Sequence, residues 1–83
     1  MKLKESLIYR SDDAIIFDTE KGKLIELNES ANIIVALLSD GENIEMSEIC
    51  SKLRQKYHDS DEKEVVEYVS EFINNLKAMD MVR

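Results

Sequence analysis

The chain changes period a third of the way along. Up to Leu27 its apolar residues come in short β-branched and aromatic runs, and beyond Asn28 they recur every three to four residues. The first pattern is that of strands and the second that of helices. Ser6-Leu7-Ile8-Tyr9-Arg10 and Ala14-Ile15-Ile16-Phe17-Asp18 read as two strands joined by the polar turn Ser11-Asp12-Asp13. Thr19-Glu20-Lys21-Gly22 makes the next turn, with Gly22 free to take a positive φ. The alternation Lys23-Leu24-Ile25-Glu26-Leu27 then gives a third strand. Three short strands in succession predict an antiparallel meander.

Asn28 stands where an N-cap belongs, its side-chain oxygen able to accept from the backbone N–H groups of a first turn. A helix is predicted from Glu29 to Leu38, ended by Ser39-Asp40-Gly41. A second helix runs from Ser47 to Tyr57, because Ile49, Leu53 and Tyr57 recur every four residues. The third follows His58-Asp59-Ser60-Asp61 and continues to Met79; Asp61 and Glu64 have capping-box spacing, with Asp in place of the usual Ser or Thr. Its apolar positions are Val65, Val66, Tyr68, Val69, Phe72, Ile73, Leu76 and Met79. At about 100° per residue they span an arc of roughly 160°, wider than the stripe of about 100° that one packed face needs. Either a partner covers the surplus or the three helices pack so as to bury all of it.

Eighty-three residues without proline, repeat or low-complexity linker form one domain, 1–83. A domain of that size buries only about 60 to 65% of its unfolded surface, which leaves little room for a deep catalytic cleft. Hydrophobic content of 43% and charged content of 35% are those of a folded protein. The longest uncharged runs, Ala14 to Phe17 and Ser30 to Ser39, fall short of the roughly 20 apolar residues of a bilayer span. Met1-Lys2-Leu3-Lys4-Glu5 is not followed by a signal-peptide apolar region, so a cytoplasmic location and no membrane partner are expected. A single cysteine makes no internal disulfide. The net charge of -7 repels phosphate backbones and anionic lipid, which argues against nucleic acid as a partner.

Candidate chemistry is sparse. Cys50 lies beside Ile49 with no histidine near it in sequence, the setting of a small buried hydrophobe. His58 is the only histidine, which excludes paired-histidine motifs, and its place at a helix C-terminus favours partial positive charge. The run from Asp59 to Glu67 superficially resembles a calcium loop, but Lys63 takes its fifth position and Glu64 the place of its glycine. No metal, cofactor or catalytic residue is therefore expected. Strands with two successive helices also suit a DNA-reading winged helix. The would-be recognition helix, however, carries Asp61, Glu62, Glu64, Glu67 and Glu71 against Lys63 and Lys77. An acyl carrier would need an Asp-Ser-Leu at a helix start, whereas Ser39-Asp40-Gly41 has the reverse order at a helix end.

The segment IELNESANIIVALLSDG resembles the Leu-Asn-x-Ser/Thr-Ala-x-x-Ile-x-x-Leu-Leu-x-Gly stretch of PqqD-like proteins, the peptide-binding modules called RiPP recognition elements. SEICSKL and VVEYVSEFINNLKAMDMV are similar to the second helix and to the closing Val-x-x-Phe-x-x-x-Leu-x-x-x-Gly-Leu-Val of that family. The resemblance runs from Leu7 to Val82, with two departures: Asp80 replaces the usual glycine, and Met46 is an extra residue before the second helix. Asp tolerates a left-handed cap, so the first departure is mild. The resemblance implies an α+β fold, a winged helix-turn-helix with an N-terminal three-stranded antiparallel sheet followed by three helices. It also implies a non-enzymatic adaptor, a peptide chaperone of natural product biosynthesis. Such an adaptor binds the leader of a ribosomally made precursor peptide as an added antiparallel strand. It then delivers the precursor to a separate enzyme, a radical SAM maturase or, in lasso peptide systems, a leader peptidase. The third strand would offer Leu24, Ile25 and Glu26, and the third helix Val65, Tyr68, Val69 and Phe72 opposite, with Asn28, Ala31, Leu37 and Gly41 serving the fold. The alternatives are an acidic structural or dimerising domain, with homodimerisation left open, and, with less support, a DNA-binding winged helix regulator.

Overall fold

The computed structural model describes residues 1–40 and 43–83. Strands β1 (Leu7–Arg10), β2 (Ile15–Asp18) and β3 (Lys23–Glu26) precede helices α1 (Glu29–Leu38), α2 (Met46–Lys56) and α3 (Glu62–Ala78). The sheet is the expected antiparallel meander, in the order β1-β2-β3. That architecture, a three-stranded sheet followed by three helices, is compatible with a winged helix-turn-helix.

Local chemistry accounts for the element ends. Gly22 takes the predicted positive φ, 66°, where the backbone turns between β2 and β3. The buried carboxylate of Asp18 accepts from the N–H groups of Glu20 and Lys21 and so organises the same turn. Ala14 is no strand residue: its φ is 52°, its N–H donates to Ser11 O, and β2 starts one residue later than the β-branched run suggests. Asn28 caps α1 by accepting from Ala31 N at 2.8 Å. α1 ends at Ser39, while Gly41 of the predicted stop lies outside the described residues. α2 begins at Met46, whose thioether accepts from Ser70 of α3, so the extra residue is absorbed into the first turn. Asp61 caps α3, accepting from Lys63 N rather than closing a box with Glu64.

Both ends of the chain meet, a feature the periodicity of the sequence did not announce. Lys2 and Arg83 exchange backbone hydrogen bonds, Leu3 bridges to Val82, and Lys4 N–H donates to Met81 O. Asp80 adopts the left-handed conformation, φ 58°, and its carboxylate lies 2.6 Å from Lys4 Nζ.

The core fills the space between the helices and the inner sheet face. Ile34, Val35 and Leu38 of α1, Ile49 and Leu53 of α2, and Val69, Ile73 and Leu76 of α3 are almost wholly buried, with Ile16 from β2. Each such side chain contributes about 1.5–3 kcal/mol on removal from water. Cys50 packs among them as a hydrophobe, and burial pushes its thiol pKa up. Tyr9 reaches from β1 to α1, its hydroxyl donating to Asn32, and burial raises its pKa too. On the outer sheet face Ile8, Phe17 and Leu24 are register neighbours across all three strands, and all remain exposed.

Candidate functional site

Among the described residues β3 is an edge strand, paired with β2 on one side only. Leu27 N–H donates to Ala14 O at 2.8 Å, and Ile25 stands opposite Ile16. In an antiparallel ladder alternate residues aim their N–H groups to opposite sides. Lys23 and Ile25 therefore point theirs at β2, like Leu27, and Leu24 and Glu26 point theirs away from the sheet. The free edge thus has a defined set of donors.

Helix α3 runs antiparallel to β3. Beside the start of the strand, Lys21 Nζ donates to Met79 O at the helix end; past the strand's end, Ser30 Oγ lies 2.7 Å from Tyr68 OH. Between these two ties the helix presents Tyr68 and Phe72, whose rings stack 6.4 Å apart with 14° between their planes. Tyr68 is 37% exposed and Met79 39%, while Phe72 is half-buried. Val66, 41% exposed, marks the opposite side of the apolar arc. The helices therefore bury the middle of the arc and leave both its flanks open.

A cavity of about 460 Å³ opens where β3 gives way to α1. Leu53, Val65 and Tyr68 give it an apolar floor, and Glu29, Tyr57 and Glu64 stand among its lining residues. It shares Tyr68 with a smaller depression of about 200 Å³ along α3, bounded by Glu71, Phe72 and Asn75. Tyr57 OH donates to Glu29 Oε1 at 2.8 Å, and Lys56 Nζ lies 3.4 Å from the same oxygen. The Tyr57 hydrogen bond first, then Lys56, holds the Glu29 carboxyl below the usual carboxylate range; the same hydrogen bond pushes the Tyr57 phenol up. A larger space of about 710 Å³ lies between α2 and the start of α3, lined by Cys50, Arg54 and Val66. It borders no strand and so lacks the backbone donors of the β3 edge.

The residues singled out in the sequence divide between surface and core. Leu24 and Glu26 are exposed on the outer face of β3, and Ile25 is half-buried against the core. Tyr68 and Phe72 stand side by side on the open flank of α3, bounding the smaller depression. Val65 is buried beneath the cavity, and Val69, with no exposed surface, packs wholly inside the helical core. Ser30, Tyr57 and Glu64 went unassigned in the sequence because they come from three elements that only packing brings together. Among the described residues no cluster of three or more His, Cys, Asp or Glu could hold a metal ion, and no helix is long and apolar enough to cross a membrane.

Residues 13–82 match the family model described as coenzyme PQQ synthesis protein D, PqqD. No curated protein matches the chain. A solved structure described as lasso peptide synthetase B1 complexed with the leader peptide superposes with a TM-score of 0.76 at 18% identity, over 96% of this chain and 93% of that one. At that identity the likeness is one of fold.

Proposed function

The chain belongs to the PqqD family, and on that premise we propose that it is a recognition domain for the leader region of a ribosomally made precursor peptide. The observation that carries this reading is the free edge of β3, whose outward N–H groups at Leu24 and Glu26 lie on the side of the strand tied to α3, which carries the Tyr68 and Phe72 rings. An extended peptide that adds there gains backbone hydrogen bonds along the strand and places alternate side chains against Tyr68 and Phe72. The fold it shares with a protein solved in complex with a leader peptide supports a leader peptide as the ligand. Leu24, Ile25 and Glu26 supply the strand, Tyr68 and Phe72 the wall, and Val65 and Val69 the packing beneath it.

Binding, not turnover, is the role: the domain holds a leader while a separate enzyme, a radical SAM maturase or a leader peptidase, acts on the attached core. The test is calorimetry with the leader of a precursor encoded beside this chain. A preformed groove and strand pairing give 1:1 binding with a dissociation constant of about 10 nM to 10 μM. Absence of heat at protein concentrations above that range counts against the proposal.

A further inference from the structure

Charge is unevenly spread along the groove. Glu29 and Glu64 line the cavity at the end of β3, Glu71 borders the depression along α3, and Glu26 is exposed on the edge strand itself. Glu64, Tyr68, Glu71 and Asn75 recur every three or four residues and make one stripe of the helix, while its two lysines, Lys63 and Lys77, lie off that stripe. At the other end of β3 the charges are mixed: Lys21 and Lys23 are exposed there, with Glu20 and Asp80, which share Lys4, beside Lys21. Lys56 offsets Glu29 in part, but among the described residues Glu26, Glu64 and Glu71 have no cation within ion-pair distance.

We infer that the groove selects a peptide segment carrying one or two lysines or arginines at the end that lies beside Glu26 and Glu64, followed by apolar residues that cover Tyr68 and Phe72. The inference rests on the strand-addition reading and adds the chemistry of the occupant. A strand that continues the antiparallel alternation of the sheet runs opposite to β3, so the end beside Glu26 is its amino-terminal end. Lys23, on the edge strand itself, opposes the reverse placement. Each exposed ion pair is worth about 1.5- to 5-fold in affinity, and a like charge in the same place loses a similar factor. Two positions then separate basic from acidic peptides by roughly tenfold at low ionic strength, a difference that salt screens.

Selection from a random peptide display library against the folded protein at low salt tests this. Enriched peptides are synthesised and titrated against isotope-labelled protein. The expected result is that they shift the amide signals of Leu24 and Glu26 and carry an excess of Lys and Arg over Asp and Glu in their amino-terminal half. Replacing those cations by Glu lowers affinity about tenfold at low salt and far less at roughly 0.5 M salt. Glu64→Lys combined with Glu71→Lys, both on exposed positions, removes or reverses the preference in a protein of unchanged circular dichroism. Peptides that shift the β3 edge signals but show no cationic excess, or ignore the swap, overturn the charge selection and leave the docking mode standing. Enrichment of nothing, or of peptides that bind elsewhere, overturns the docking mode and the charge selection with it.

Discussion

At the scale of single residues, three backbone positions among the described residues hold φ in the left-handed region: Ala14, Gly22 and Asp80. For an L-residue such as alanine that conformation costs about 1–2 kcal/mol; glycine escapes the cost, and Asp tolerates the conformation better than most. Ala14→Gly is therefore expected to stabilise the domain, by up to about 1 kcal/mol once the extra freedom of the unfolded chain is subtracted. For a domain this small that is a rise in Tm of roughly 4–8 °C per kcal/mol. Gly22→Ala should shift Tm the other way, and by backbone strain alone, because nothing lies within 4 Å of where its Cβ would stand. Scanning calorimetry on the two variants gives both signs. A second pair separates groove from core. Leu76, 2% exposed, anchors α3, and Leu76→Ala should cost about 2–5 kcal/mol, a large share of a small domain's stability. Phe72→Ala removes a half-buried ring and should weaken leader binding more than folding. Urea melts and leader titrations on both variants compare the losses; equal effects on the two properties would take Phe72 out of the groove wall.

Among the elements, β3 is the one whose two edges do different work. Proline deletes one N–H, so its effect depends on which way that N–H points. Ile25→Pro removes a bond to β2 and should unfold the sheet. Leu24→Pro and Glu26→Pro remove outward donors, are tolerated as edge prolines are, and should fold yet lose leader binding. Circular dichroism followed by titration distinguishes the three. Wild-type affinity in a folded Leu24→Pro or Glu26→Pro variant would mean that the leader does not pair with this edge.

For the molecule as a whole, the joined termini are closed by the contact of Lys4 with Asp80, on a surface dominated by negative charge. The hydrogen bond from Lys4 holds the Asp80 carboxyl below its usual range, and the same bond raises the Lys4 pKa. A depressed carboxylate contributes stability that is present above its unfolded pKa and lost as pH falls through its folded one; a raised lysine loses its share as pH rises through its folded value. Lys4→Met should thus lower the urea midpoint at neutral pH, with the gap to the unaltered protein narrowing as pH falls below about 4. A gap that stays constant from neutral pH into acid would show that the pair adds nothing to closing the chain.

Much of the fold is written in local patterns. The strand runs, Gly22, the Asn28 and Asp61 caps, and the four-residue stripe of α2 are governed by short-range sterics and hydrogen bonding, so the sequence determines them, with element ends shifting by a residue where Ala14 turns left-handed or Met46 finds Ser70. It also shows that α3 has more apolar arc than one packed face uses. Which part of that arc stays open is decided by packing, which buries Val65, Val69, Ile73 and Leu76 and leaves Val66, Tyr68 and Met79 exposed. The direction of the β3 N–H groups depends on the register with β2, since a slip of one residue would reverse it. The cavity beside them exists only because Glu29, Tyr57 and Glu64, far apart in the chain, are carried together by three helices. Periodicity reports what each segment can bury; only the tertiary structure decides what it is buried against.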